Sequence, residues 1–194
     1  MLLRFAFIAA FLTPFLHILV LLVSGQDAMT TPVSELSRQD WGVLHTVGLA
    51  LFSAAHLSLA AGLGGLDAGR LWPYGRGLLV ASGVTLIYIA YFFTAAETEQ
   101  LRGPEADDPL WIVASLTGFA MGALQPGLSR LSRPLGLFSA FCFGIWLWLI
   151  PTVLLVNDSW IGAYERIVGT VYVVWIMGIS FGTARSSGSP QTVD

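Results

Sequence analysis

The sequence predicts an all-α fold, a polytopic transmembrane bundle of six helices with both termini cytoplasmic. Of its 194 residues, 55% are hydrophobic and only 11% are charged, which is less than half the roughly 25% charged residues of a soluble domain. Six apolar runs approach the about 20 residues that cross a bilayer as a helix. The arginines are divided unequally between the segments that join these runs, and this division predicts the orientation.

The six apolar runs define a predicted membrane domain over residues 1–181. None of them shows the apolar–polar alternation of a transmembrane β-strand. The fourth run is short and reaches a full span only when Gln125 and Pro126 are included. The predicted spans are residues 5–23, 43–63, 78–96, 110–128, 135–156 and 161–181. Residues 182–194 are polar and follow the last span, so we predict that they form a disordered cytoplasmic tail.

The arginine distribution orients the bundle. If the N-terminus is inside, the inner segments carry six arginines and the outer segments three: Arg4, Arg70, Arg76, Arg130, Arg133 and Arg185 against Arg38, Arg102 and Arg166. Cytoplasmic segments are enriched in such cations, so we expect a multi-pass protein of the bacterial cytoplasmic membrane. An alternative interpretation of the first run is a cleaved signal peptide. Because its apolar stretch exceeds the roughly 7–15 residues of a signal-peptide core, we expect it to be retained.

Composition also excludes several functions. The net charge is −3 and the nine arginines form no patch, which excludes nucleic acid as a partner. The single cysteine, Cys142, excludes a disulfide framework and a paired-cysteine metal or redox motif. The chain has no lysine, so Schiff-base chemistry on a lysine is excluded as well.

Three histidines lie inside the predicted spans and are candidate site residues. At ~1.5 Å per residue, His17 and His45 lie about 10 and 8 Å from the outer ends of spans one and two, so they could face each other. His56 follows His45 by eleven residues and projects from the same side of span two. The histidines suggest a metal or haem site or a proton relay; alternatively, they are neutral side chains hydrogen-bonded within the bundle. A metal needs further ligands that the spans lack, so we favour the second interpretation and predict no metal and no cofactor.

A stripe of small residues runs along one face of the fourth span. Ala114, Gly118 and Gly122 follow one another at every fourth position. Small residues allow helices to approach closely in a membrane, where the lipid supplies no hydrophobic drive for association. We therefore predict that this face packs against another helix of the same chain.

Two charged residues, Glu165 and Arg166, stand at the outer edge of the sixth span. Side chains adjacent in sequence point about 100° apart on a helix, so they are expected to find other partners. We predict that Arg166 pairs with Glu35 and that this contact docks the first outer loop onto the sixth span. The alternative is that both charges extend separately to the lipid head groups.

The order of several short motifs resembles one known family. These are a Pro in the first span, Val33-Ser-Glu-Leu36 before the second, Tyr91-Phe-Phe-Thr94 at the end of the third, and Gly162-Ala-Tyr-Glu-Arg-Ile167 at the start of the sixth. The chain resembles the bacterial membrane proteins called domain of unknown function 998 over about residues 3–181. The resemblance implies a six-helix integral membrane protein and implies no particular reaction.

The polar candidates His17, His45, Glu35 and Arg166 all lie toward the outer half of the predicted bundle. We therefore expect a non-enzymatic protein that binds a lipid-like or other small apolar ligand there, for transport or sensing. Membrane lipid is then its partner in any case. Two alternatives remain open: a membrane-embedded enzyme or redox protein that uses the histidines, and a structural subunit of a larger membrane assembly.

Overall fold

The computed structural model describes residues 1–33, 36, 41–94 and 110–186. Within these ranges the chain forms six α-helices: α1 Leu2–Ser24, α2 Gly42–Gly62, α3 Trp72–Thr94, α4 Leu110–Leu131, α5 Arg133–Thr152 and α6 Ile161–Ser186. Five of them, all except α3, are long and apolar enough to cross a membrane. The predicted all-α, six-helix fold class is confirmed, and this is the architecture of a multi-pass membrane protein.

The helices form a ring in sequence order. Each packs against the next, and α6 closes the ring by packing against α1, while α2 and α4 also touch α6. The α1–α2 and α5–α6 connections lie at one end of the bundle, which we call the loop end. At the opposite end, the terminal end, Leu3 of α1 lies against Gly62 of α2 and Leu135 of α5 lies against Gly182 of α6.

The α2–α3 boundary differs from the expected span because tertiary contacts extend the third helix. α3 begins at Trp72, six residues before the expected start. The Trp72 side chain is buried, and its indole N–H donates to the Leu63 carbonyl over 3.2 Å. Arg76 donates through Nε to the Ala60 carbonyl over 2.9 Å. A stretch that contains Arg and Pro is therefore helical because α2 and the turn that follows it supply acceptors.

Two further helices, α4 and α6, continue beyond their expected ends. α4 continues through Pro126 to Leu131, and the single residue Ser132 separates it from α5. α6 continues to Ser186, so the prediction of a disordered tail from residue 182 onward is wrong for residues 182–186. Residues 187–194 lie outside the described residues.

The small-residue stripe of α4 faces other helices of the same chain. A Cβ atom on Gly118 would overlap the Trp146 ring of α5, and one on Gly122 would press on Phe143. The two aromatic rings are stacked with centroids 5.6 Å apart. The carbonyl of Ala114, the third member of the stripe, accepts a hydrogen bond of 2.8 Å from the Tyr172 hydroxyl of α6. The stripe therefore binds α4 to α5 and α6.

The orientation of the bundle is a prediction that cysteine labelling checks. Single cysteines placed at Gln26, Gly103 and Asn157 are expected to react with an impermeant maleimide in whole cells. A cysteine placed at Ser187 is expected to react only after the cells are opened, because the arginine excess predicts that the termini are inside. For this experiment, the native Cys142 is replaced by Ala. Labelling of the Ser187 site in intact cells would reverse the orientation.

Candidate functional site

A cavity of about 610 Å³ lies in the loop-end half of the bundle. α1 and α6 supply most of its walls, and α2, α3, α4 and Val33 of the α1–α2 connection supply the remainder. Most of the lining side chains are aliphatic or aromatic, including Phe11, Phe15, Ile18, Leu49, Phe52, Leu86, Trp111, Val173 and Met177. The cavity is therefore an apolar chamber at the depth of the membrane-spanning helices.

The cavity opens on the side of the bundle between α1 and α6. Phe15 and Ile18 of α1 are each 54% exposed, and Val174 of α6 is 46% exposed, although all three line the cavity. Closer to the terminal end the two helices are in contact, with the Phe7 and Phe181 ring centroids 6.2 Å apart. An apolar molecule in the bilayer could thus reach the cavity laterally, without crossing water.

Arg166 lies in the cavity wall near the loop end. Its Nη1 donates to the carbonyls of Ala28 and Thr31, over 2.8 and 2.9 Å. Its Nε and Nη2 are buried and have no hydrogen-bond partner among the residues that the structure describes. Nη1 of Arg166 thus binds the α1–α2 connection, whereas Nε and Nη2 make no hydrogen bond to the described residues.

The neighbouring Glu165 also holds the α1–α2 connection. One of its carboxylate oxygens, Oε2, accepts a hydrogen bond of 2.5 Å from the backbone N–H of Val33, and the backbone N–H of Ala163 donates to the Met29 carbonyl over 3.1 Å. Glu35, the expected partner of Arg166, lies outside the described residues, so that ion pair stays a prediction. The connection is nevertheless docked onto the start of α6, through backbone groups of residues 28–33.

His17 and His45 are in contact between α1 and α2. Their ring centroids are 4.6 Å apart in an edge-to-face arrangement. His17 lines the cavity, and Gly48 leaves room for its ring, since a Cβ there would lie 3.3 Å from His17 Nδ1. His45 is fully buried, and neither of its ring nitrogens has a hydrogen-bond partner within the described part of the chain. The two histidines of similar predicted depth are thus brought together beside the cavity.

His56 belongs to a separate, buried hydrogen-bond network. Its Nδ1 lies 2.9 Å from the Phe52 carbonyl, so Nδ1 carries the proton and donates it. Its Nε2 then accepts from the Thr117 hydroxyl at 3.1 Å, and Thr117 Oγ1 lies 3.0 Å from Ser82 Oγ. This network joins α2, α4 and α3, and both ring nitrogens of His56 are occupied. The hydrogen bonds of His56 thus connect three helices, the arrangement that the second interpretation of the histidines describes.

Comparison with known proteins gives the family. The family model described as protein of unknown function (DUF998) matches residues 6–182. The chain is a member of the DUF998 family. This confirms the resemblance found in the order of its short motifs. No curated protein and no solved structure matches the chain.

The motif at the start of the sixth span of this DUF998 protein has a structural explanation. Gly162 lies against the Thr31 carbonyl, which a Cβ atom would overlap. The Tyr164 hydroxyl donates to the Leu149 carbonyl and lies 2.8 Å from Thr152 Oγ1, which joins α6 to α5. Together with Glu165 and Arg166, these residues close the loop end of the bundle around the cavity.

Sequence reasoning found the polar residues of this site and missed its walls. Trp111, Gly169 and Tyr172 line the cavity, yet only their apolar or small character is visible in the sequence. The Tyr172 hydroxyl, bonded to α4, fixes one wall. Gly169 could have indicated the cavity, because a small residue among bulky ones on a membrane helix leaves space beside the helix.

The histidine contact leads to a prediction about metals. Within the described part of the chain, no three His, Cys, Asp or Glu side chains form a group that could hold a metal ion. Because a protein metal site typically takes more than two side-chain ligands, we expect the purified protein to contain less than stoichiometric zinc, iron and haem by elemental analysis and absorbance. A stoichiometric metal or a haem band that disappears in His17→Ala or His45→Ala would contradict this and favour the redox alternative.

Proposed function

We propose that this DUF998 protein binds a lipid-like or other small apolar ligand in the cavity between α1 and α6, for transport or sensing in the bacterial cytoplasmic membrane. The observation that carries the proposal is the cavity itself, an apolar chamber of about 610 Å³ with charged side chains at one end. Small-molecule sites have volumes of about 300–1,000 Å³ and combine apolar walls with a few polar groups.

The distribution of polarity supports an amphipathic ligand. In the described lining, the charged side chains Arg166 and Glu165 and the imidazole of His17 lie toward the loop end, whereas the side chains toward Met177 are mostly apolar. A lipid-like molecule has the same division between a polar head and an apolar chain. The lateral opening beside Phe15 and Ile18 supports entry of such a molecule from the bilayer.

The role as a structural subunit has less support than ligand binding. Such a subunit could use the small-residue stripe of α4 as its contact surface, but Gly118 and Gly122 of that stripe pack against Trp146 and Phe143 of the same chain. The stripe is therefore used within the bundle, whereas the cavity has no such structural explanation. We accordingly propose a non-enzymatic binding protein.

Native mass spectrometry of the detergent-purified protein tests the proposal. We expect a population of protein that carries one lipid-sized adduct, and we expect Gly169→Leu to remove it. Gly169 lines the cavity, and a Cβ atom there meets no atom within 4 Å. A leucine side chain can therefore occupy the cavity without displacing a neighbouring helix.

Gly144→Leu is the matched control. Gly144 lies on the exposed face of α5, and its Cβ position is equally open, so this variant keeps the cavity and should keep the adduct. If the adduct is absent from the wild-type protein, or survives Gly169→Leu in the same proportion, the proposed binding site is wrong.

A further inference from the structure

We infer that Arg166 binds the anionic head group of a single-chain amphiphile, a carboxylate or a phosphate, and that the chain of this ligand lies in the cavity. This inference rests on the proposed function, because it names the class of ligand for the same cavity. It assigns to Arg166 a role beyond docking the α1–α2 connection.

The orientation of the guanidinium group carries the inference. Nη1 is fixed by the carbonyls of Ala28 and Thr31, and this leaves Nε and Nη2, both buried and without a hydrogen-bond partner among the described residues. Nε and Nη2 form one edge of the planar group, on which two parallel N–H bonds point toward a common acceptor. Carboxylate and phosphate groups match this edge with two oxygens.

The free energy of burial favours an acceptor at this edge. A buried donor of a charged group that makes no hydrogen bond carries a desolvation penalty, and two such donors lie on the same edge of Arg166. A carboxylate or phosphate satisfies both donors and compensates the charge. The hydroxyl of an alcohol has a single neutral oxygen, so it satisfies them less well.

Among the described residues, the carboxylates near Arg166 are those of Glu165 and Asp27, and both accept hydrogen bonds from other groups; Glu35 lies outside the described residues. Glu165 Oε2 accepts from the backbone N–H of Val33, and Asp27 accepts through both oxygens, from the backbone N–H of Met29 and from the Thr30 hydroxyl. These hydrogen bonds direct the two carboxylates to the backbone and side chains of the α1–α2 connection. Arg166 lines the cavity, and its Nε–Nη2 edge therefore offers an anion two donors that have no hydrogen-bond partner among the described residues.

The length of the cavity fits a single extended chain. Arg166 and Met177 both line it and are eleven positions apart in α6, which corresponds to about 16 Å along the helix axis. Gly169 and Val173 lie between them on the same wall. A ligand with its head at Arg166 would place its chain along these residues, toward the terminal end.

Competition binding in lipid nanodiscs tests the inference. A brominated dodecanoate quenches the fluorescence of Trp111, which lines the cavity, and Trp111→Phe identifies that part of the signal. Unlabelled dodecanoate, dodecyl phosphate and dodecanol then compete for the site. We expect both anions to bind at least about tenfold more tightly than dodecanol, and Arg166→Gln to abolish this preference, since hydrogen bonds to charged groups differ from neutral ones on that scale.

The ratio of the affinity for the two anions to the affinity for dodecanol distinguishes loss of head-group recognition from loss of structure. Undocking of the α1–α2 connection in Arg166→Gln weakens all three probes alike, whereas loss of head-group recognition weakens only the anions. Arg166→Lys keeps the charge without the planar edge and should keep part of the preference. Equal affinity of the wild-type protein for all three probes would overturn the head-group inference and leave cavity binding intact. Binding that Gly169→Leu does not reduce would overturn the proposed function instead.

Discussion

Replacing Gly118 by Leu is expected to destabilise the bundle by about 3 kcal/mol or more, a large effect for one substitution. Even the first added atom, Cβ, would overlap the Trp146 ring. Trp146 is buried between Phe119 and Phe143, with ring centroids at 5.4 and 5.6 Å, so the indole has no room to move aside. α4 and α5 would have to separate. The measurement is the thermal unfolding temperature in detergent, together with the amount of folded protein that cells accumulate.

The same substitution at Gly144 is the control for this prediction. Gly144 lies on the neighbouring helix α5, is exposed and has open space at its Cβ position, so Gly144→Leu should change the unfolding temperature little. A second variant tests the mechanism: if the clash with Trp146 is the cause, Trp146→Ala should restore part of the stability lost in Gly118→Leu. Similar unfolding temperatures for Gly118→Leu and Gly144→Leu would mean that the stripe does not pack as described.

The helices could be predicted because hydropathy and length decide what crosses a membrane. The first and last residues of a helix are harder to predict where a polar residue binds a partner in another helix. Arg76 made the start of α3 look like a loop, yet Ala60 accepts its Nε–H. The fourth span was expected to end at Leu128, two residues after Pro126, yet α4 continues to Leu131. The hydropathy of one segment does not indicate whether its polar residues have a partner in another helix or in the lipid interface.

The polar part of the site could be predicted from depth. His17 and His45 were expected to meet because antiparallel neighbours bring residues of equal depth together, and their rings are in contact. The cavity beside them had no comparable signal. Its volume depends on how far α1 and α6 separate toward the loop end, and that follows from the packing of many apolar side chains rather than from any motif.

Arg166 shows a different limit of sequence reasoning. A carboxylate is the expected partner of an arginine, because opposite charge is visible in a sequence. Among the described residues, its hydrogen-bond partners are the backbone carbonyls of Ala28 and Thr31. Every residue has a carbonyl, so composition gives no indication of which ones an arginine will bind. The role of Gly162, which admits the Thr31 carbonyl, was hidden for the same reason.

Replacing Gly162 by Ala is expected to release the α1–α2 connection from α6. The added Cβ would overlap the Thr31 carbonyl, and moving that carbonyl away breaks the bond from Arg166 and strains the bonds to Met29 and Val33 beside it. Hydrogen bonds to charged groups contribute about 1.5–3 kcal/mol each, so we expect a loss of about 2–3 kcal/mol. The measurements are the unfolding temperature and the rate of proteinase K cleavage within residues 26–33, which should rise.

Gly169→Ala, in the same helix, is the control and is expected to change the stability in the opposite direction. Its Cβ meets no atom within 4 Å, and Ala is more favourable than Gly inside a helix by about 0.8 kcal/mol, so this variant should be slightly more stable than the wild type with unchanged cleavage. Helix propensity favours Ala at both positions, and only the approach of Thr31 makes Gly162→Ala unfavourable. If both substitutions raise stability, the α1–α2 connection is not held against α6 at Gly162, and the loop end of the cavity is open there.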